Sequence, residues 1–547
     1  MGFFSKDTGR KQGAALPEPV VDLVAARADL LADLPRGFDP RQPPSKGATV
    51  GRFDVPSPAE RKFQFMPEAR PGAVYLGVVG GQPKAGPYGP YLEDGTPIAI
   101  EDDRHIMLVA GSRAGKGRAV LLPNLLTYRG SVVATDPKGE LAAETACRRA
   151  AIGQSVYILD PFKTVKGKAE RWRCGYNPVA AIRDDYLIED ATLLADAIVV
   201  VENPNSNRDP HWDDSARAFI EGVILHVRTS TIYSEVRHDK TNELIQPDRR
   251  TLATVRELLT VGARATPDAK PSFPMLCDDM MASHEPVVVA AAVDFFSKPE
   301  KERESVHSTV RRHTKFLDLE AIRDVTDSHD FDVEDLRTKG ATVYLCLPAR
   351  HMNTCSRWLR MFINLGLQNI ERMGPVKRGT PPILFVLDEF FSLGHMKQLE
   401  TAAAQIAGFG IRLMTVLQDL GQLEHLYGKN FETFMGNSGV LQFFGNSDLK
   451  TLDWISKRLG KTTLRIDERA PATLETTGSG RRDMPRSSEF DLLHPDEVAR
   501  FFRRNDKKLR QLVFFLDEDY PLVLQRAFAD THPAFRSLND TAAQAMP

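Results

Sequence analysis

The chain has 547 residues, 42% of them hydrophobic and 26% charged, and its 71 basic and 73 acidic side chains leave a net charge of −2. That length exceeds what one hydrophobic core usually organises, so two or more domains are expected, and the composition excludes the disordered, collagenous and membrane-embedded classes. A near-neutral charge is no signature of a protein that coats nucleic acid, although a local basic groove stays open, and five cysteines without a Cys-x-x-Cys pair argue against a zinc site and fit a reducing cytoplasm.

Residues 1–72 are rich in proline, glycine and charge and read as an arm, with one predicted helix around EPVVDLVAARADLLADL. The opening MGFFSKDTGRKQG has no apolar stretch behind its charges, so no secretory signal is expected, and Lys6 spoils the myristoylation pattern that Gly2 begins. From about residue 73 short apolar runs end in turn or acidic residues, HIMLVAG, GSVVATD and QSVYILD, and predict strands of a parallel α/β sheet. Between 180 and 335 that signal gives way to apolar residues at three- and four-residue spacing, as in WDDSARAFIEGVILHV and SVHSTVRRHTKFLDL, which predicts amphipathic helices. The longest apolar run there, LLADAIVVV, is about half of the roughly 20 residues a membrane span needs. Strand-like runs return in ATVYLCLP, PPILFVLDEFF, IRLMTVLQD, GVLQFFG, QLVFFLDED and PLVLQRAFA. The expected division is an α/β domain in two segments, 73–179 and 336–530, interrupted by an all-α domain at 180–335, with a frayed tail at 531–547 and a mobile surface loop at about 465–488.

Three places carry chemistry. The stretch AGSRAGKGR follows an apolar strand and precedes a helix, the context in which backbone amides and a helix N-terminus wrap a phosphate. A general phosphate-binding loop would want glycine at Ala110 and a hydroxyl at Gly117. Gly115 and Lys116 keep the essential pair, a glycine for close backbone approach and an ammonium for the β- and γ-phosphates, so Gly111, Ser112, Arg113, Ala114, Gly115, Lys116, Gly117 and Arg118 are the candidate nucleotide-binding residues. A glycine-rich turn ahead of a helix is the competing reading of this loop alone. A dinucleotide reading, with Asp136 at the right distance, fails for want of Gly-x-Gly-x-x-Gly. The second place is Asp388 and Glu389 at the end of PPILFVLDEFF: an aspartate to hold magnesium through water and a glutamate to polarise the attacking water. Asp160, at the end of VYILDPF, is a rival without the adjacent glutamate. The third is Gln418, ending IRLMTVLQD, where an amide can sense the γ-phosphate or orient water, or merely cap a strand. Arg311 and Arg312 in TVRRHTKF read as a solvated helix face rather than a DNA contact.

Four stretches together, AGSRAGKGRAVLLPNLLTYRGSVVATDPKGE, YNPVAAI with HWDDSARAFIEGVILHV, LDEFFSLGHMKQLETAAAQIAGFGIRLMTVLQDLGQLEHLYG and NSGVLQFFGNSDLKTLDWISKRLGK, resemble in order the conjugative type IV secretion coupling proteins, or TraG-type DNA-transfer ATPases, over about residues 95–530. The resemblance implies a RecA-like P-loop NTPase domain interrupted by an all-α domain, and a loop in which glycine normally follows the lysine. Carried over by position, it implies that Lys116 binds ATP phosphate, Asp388 serves Mg2+, Glu389 activates water and Gln418 senses nucleotide, with Asp136 in DPKGE supporting the site. It further implies an ATP-driven homo-hexamer around DNA, single-stranded and in the ring centre, that feeds a relaxase-bound strand or secreted protein cargo into type IV secretion components, each site completed by a neighbour's arginine, for which Arg412 and Arg458 are candidates. Family members usually carry transmembrane helices where this chain has its arm. The expectation is therefore a cytoplasmic protein, recruited to the inner membrane by a separate membrane-anchor protein or working away from it. Two alternatives stay open: a nucleotide-gated cargo adaptor with little DNA translocation, and a cytosolic FtsK-type DNA pump outside secretion.

Overall fold

The computed structural model describes residues 63–65, 70–200, 211–238, 244–264, 269–466, 486–516 and 521–545. The arm before residue 63, its predicted helix, and most of the 465–488 loop lie outside the described residues. Twelve strands form one sheet: β1 Phe63–Phe65, β2 Val74–Val79, β3 Thr96–Ile100, β4 His105–Ala110, β5 Val132–Thr135, β6 Ser155–Leu159, β7 Ala341–Leu345, β8 Ile383–Leu387, β9 Ile411–Leu417, β10 Ser438–Phe444, β11 Arg510–Phe515 and β12 Leu522–Gln525. Their order across the sheet is β1-β3-β2-β12-β11-β10-β4-β9-β8-β5-β7-β6.

From β10 to β6 every neighbouring pair is parallel. These strands are covered on both faces, so both residue parities must be apolar: Ile106, Leu108 and Ala110 of β4 join one buried cluster and Met107 and Val109 the other. That is why they read in sequence as continuous apolar runs. The other flank, from β11 to β1, is antiparallel throughout. Helices α1 Leu122–Thr127 and α2 Glu140–Ala151 follow β4 and β5 and pack on the Leu108 face.

Between Leu159 and Ala341 the described residues add no strand to the sheet. They form α3 Leu187–Ile198, α4 His211–Thr229, α5 Leu252–Val261, α6 Phe273–Met281, α7 Pro286–Phe296, α8 Glu300–Thr314 and α9 Glu320–Asp327, plus a two-stranded ribbon of Val236–Arg237 with Leu244–Gln246. The Thr251 and Ser272 side chains accept the orphan amides of Thr254 and Met275 and so start α5 and α6. Phe219 of α4 stacks on Phe295 of α7 at 3.7 Å, and Gly222 lets the two helices meet, since a Cβ there would lie 2.3 Å from that of Ala291. The buried side chains of this segment and of the Met107 face belong to one apolar cluster. The long helix α10 Ala349–Arg372 bridges them, packing on α3 and pairing Arg372 with the buried Asp190. No helix among the described residues is long and apolar enough to cross a membrane.

The tail expected to fray instead forms α11 Pro533–Ala545 against α2. Phe535 is fully buried edge-on to Tyr75 at 5.0 Å, and the His532 ring meets the Asp94 carbonyl at 3.2 Å, which anchors a segment whose sequence alone offers few apolar residues.

Candidate active site

The loop leaves β4 at Ala110 and turns twice before the chain becomes helical at Gly117. Arg113 and Gly115 take positive φ, 56° and 89°, the left-handed conformations that tight phosphate-binding turns use. Gly111 sits against the chain after β10: a Cβ there would lie 1.9 Å from the Gly445 carbonyl oxygen, so only glycine fits. The Ala114 amide donates to the Gly111 carbonyl at 3.1 Å and the Ala119 amide to the Gly115 carbonyl at 2.8 Å, closing the loop onto a π-type turn, Gly117–Leu121, that runs into α1. Gly117 is different from Gly111, because a Cβ on it would meet nothing within 4 Å. Packing does not demand glycine there; what is missing is a hydroxyl.

Asp388 and Glu389 follow β8 directly. The Lys116 ammonium lies 3.1 Å from Glu389 Oε1 and 3.5 Å from Asp388 Oδ1. Glu389 holds a left-handed backbone, φ 53°, uncommon for a residue with a side chain and kept in place by its neighbours. Its amide donates to Asp388 Oδ1 at 3.0 Å, its carbonyl accepts from the Ser392 amide at 2.8 Å, and Thr135 Oγ1 donates to the Asp388 carbonyl at 2.8 Å. Gln418, just beyond β9, donates from Nε2 to Glu389 Oε2 at 3.3 Å. Burial raises the Asp388 carboxyl above the usual range while the Lys116 charge opposes that rise. The sheet order β4-β9-β8 thus brings Lys116, Gln418, Asp388 and Glu389 to one carboxyl edge, as expected of ligand sites in parallel sheets. Ser112 and Arg113 are exposed at the rim of the loop, and Arg118 pairs with Asp530.

Other sequence expectations sort differently. Asp136 accepts the amides of Ala142 at 2.8 Å and Lys138 at 3.3 Å, fixing the turn between β5 and α2, and burial pushes its carboxyl up to about 7. The rival Asp160 is consumed by the amides of Thr164 and Val165, both at 2.8 Å, and by Arg173 at 3.2 Å, so it braces a loop. Arg412 is not available to a neighbouring subunit: it is 2% exposed and donates to the Gly72 carbonyl at 2.9 Å. Arg458 stays exposed in the last turn of the helix Leu449–Leu459. Arg312 pairs with Asp213 at 3.0 Å.

Sequence reasoning missed Arg526. This arginine, next after β12, is fully buried and donates to the Ala114 carbonyl of the loop at 3.0 Å and to the carbonyls of Arg504 and Arg503 at 3.1 and 3.3 Å; burial draws its pKa down to about 10. A lone arginine in the apolar run PLVLQRAFA was the available signal. Asn446, which donates to the Gln418 carbonyl at 3.3 Å, gave none.

The donor set suits a magnesium ion shared with a nucleotide. No group of three or more His, Cys, Asp or Glu that could hold a metal occurs among the described residues, whereas one buried carboxylate beside a phosphate loop is how magnesium is usually kept, the rest of its shell being water and phosphate oxygen.

A family model described as type IV secretory system conjugative DNA transfer matches residues 66–532. Protein VirD4 of Agrobacterium fabrum (strain C58) is 28% identical over 387 residues, covering 69% of this chain and 52% of its own length. The conjugal transfer protein TraG of Escherichia coli is 28% identical over 453 residues, covering 78% of this chain and 65% of its own. The chain thus spans about half the length of the VirD4 relatives it matches. Among solved structures, the unbound monoclinic form of the bacterial conjugative coupling protein TrwBdeltaN70 aligns with a TM-score of 0.56 at 18% identity, over 82% of this chain and 89% of that one. The plasmid coupling protein TrwB in complex with ADP and Mg2+ gives the same score and identity over 80% and 90%. These likenesses bear on the fold, a RecA-like P-loop NTPase domain carrying an all-α segment.

Proposed function

The chain belongs to the type IV secretory system conjugative DNA transfer family, and from that premise we propose that it is an ATPase that drives DNA, or a relaxase and other protein cargo, toward a type IV secretion channel. The observation that carries the proposal is the Lys116 ammonium lying within 3.5 Å of both Asp388 and Glu389 beside a loop shaped for phosphate. Without a phosphate, the two carboxylates are the anions that neutralise Lys116. A bound triphosphate takes over that role, and Lys116 turns to the β- and γ-phosphates. Glu389 is then free to accept a proton from the attacking water, with Gln418 at 3.3 Å orienting that water or reporting the γ-phosphate. Magnesium, when bound, supplies charge neutralisation at the phosphates, and Asp388 holds it through water. With glycine at 117 instead of a hydroxyl, Asp388 bears more of that task than in ordinary P-loop enzymes.

The family reading extends to partners: a homo-hexamer around single-stranded DNA, cargo received by the helical unit at 180–335, and the nucleotide-binding unit formed by 73–179 with 336–530. Arg458, exposed on its helix, is the arginine offered to a neighbouring subunit. The test is ATP hydrolysis by the full chain with magnesium, with and without DNA. DNA-stimulated hydrolysis is expected, reduced to background in Lys116→Ala and stripped of its metal dependence in Asp388→Ala. A wild-type chain that hydrolyses no ATP under either condition overturns the motor, and metal-dependent hydrolysis intact in Asp388→Ala overturns the magnesium assignment.

A further inference from the structure

Phosphates account for Lys116 and the amides around it, and the sheet order dictates where the rest of a nucleotide lies. Asp388, Glu389 and Gln418 come from β8 and β9 on one flank of β4 and mark the γ-phosphate end. The nucleoside must therefore leave on the other flank, toward the carboxyl end of β10 and the chain after β12.

On that flank stands a built group that the phosphate chemistry does not use. Arg118, two residues past Lys116, gives Nε to Asp530 Oδ1 at 3.0 Å and Nη2 to Asp530 Oδ2 at 2.5 Å. That bidentate grip fixes the plane of the guanidinium and occupies the edge that would otherwise grip a phosphate. Behind the guanidinium lies the Phe528 ring, its centroid 4.5 Å from the Arg118 carbon. Phe528 is itself seated against the loop, its Cε1 3.2 Å from where a Gly115 Cβ would be, and the Ala529 amide donates to the Arg118 carbonyl at 2.9 Å, so ring, guanidinium and phosphate loop form one unit. The pair is not covered by other side chains: Arg118 and Asp530 keep 46% and 55% of their side-chain surface.

We propose that this Phe528-backed guanidinium is the stacking platform for the base of the nucleotide, with Asp530 within the same group to hold Arg118 flat. A planar cation backed by an aromatic ring offers a second planar π-system a face to stack on, and purines, with the larger face, gain most. Stacking reads no base edge, so adenine and guanine nucleoside triphosphates bind alike. The proposal rests on the reading of the loop as a nucleotide site.

The two are separable by titrating the full chain, in the presence of magnesium, with ATP and with inorganic tripolyphosphate, which has the phosphates but no base. Arg118→Ala is expected to weaken ATP roughly tenfold while leaving tripolyphosphate within about twofold; Arg118→Lys, which keeps the charge and loses the plane, fails like Arg118→Ala; and Asp530→Asn gives a smaller loss in the same direction. Lys116→Ala weakens both probes. Equal losses of ATP and tripolyphosphate in Arg118→Ala, rescue by Arg118→Lys, or unchanged ATP affinity in a folded Arg118→Ala each overturn the platform while leaving the phosphate site standing. A wild-type chain that binds neither probe overturns the nucleotide reading and the platform with it.

Discussion

At the carboxyl edge of β4, β8 and β9 the chain keeps groups in states that cost free energy: a left-handed glutamate, a carboxyl pushed up by burial, and a fully buried arginine spent on holding loop carbonyls. In the helices α3 to α9 most of the interior is apolar, with Phe219 on Phe295 and Gly222 against Ala291, side chains cap α5 and α6, and buried polar groups such as Asp190 and His226 are scattered among the apolar ones. The difference teaches where each region gets its shape. The helical segment is held by side chains of its own helices and of the sheet face, and any close-packed set would serve. The site edge is held by backbone-to-backbone approaches and by charges whose partners come from distant strands, so strain persists there because the surrounding sheet fixes it on every side.

Matched glycine substitutions sharpen that contrast most. Gly111→Ala forces a Cβ against the Gly445 carbonyl, which cannot yield without moving the loop. It is expected to cost about 3 kcal/mol by chemical denaturation and to abolish measurable ATP binding. Gly222→Ala meets the Ala291 Cβ at 2.3 Å instead, so that α4 and α7 have to part slightly, far from the phosphate loop. A smaller loss of about 1–2 kcal/mol is expected, with ATP affinity unchanged; a large drop in ATP affinity would erase the distinction between the two regions.

The smallest effect is confined to acid pH. His226 of α4 is buried with Nε2 unpartnered, and burial draws its pKa from 6.5 down to about 4. The folded state keeps it neutral where the unfolded chain protonates it, so its cost is nil above about pH 6.5 and stability falls as pH drops from there toward 4. His226→Phe should flatten that part of the stability-versus-pH curve and leave neutral stability equal or higher; an unchanged slope would assign the acid sensitivity elsewhere.

Much of both regions was legible in the sequence, for reasons that differ. The helices α4 and α8 announced themselves through three- and four-residue spacing, and β4, β8 and β9 through unbroken apolar runs. Asp388, Glu389 and Gln418 stood out as polar groups ending those runs, and Lys116 by the glycine before it. That they meet was not legible, because meeting depends on strand order, which a linear pattern does not carry. The same limit hid the antiparallel sense of β11 and β12, whose apolar runs look alike in either direction. Arg412 illustrates the cost: at the start of β9 it passed for a free cation, whereas its partner is the Gly72 carbonyl, 340 positions away in the chain. Arg526 shows the reverse, a charge inside an apolar run that signalled burial with fixed partners.

The loop with glycine at 117 is proposed as a working site completed by Glu389. Its most direct test is paired measurement of ATP binding and ATP turnover in Glu389→Gln. Wild-type affinity for ATP is expected, with turnover reduced by roughly 10²–10⁴-fold, the usual contribution of a general base. Turnover at the wild-type rate in that variant would contradict it.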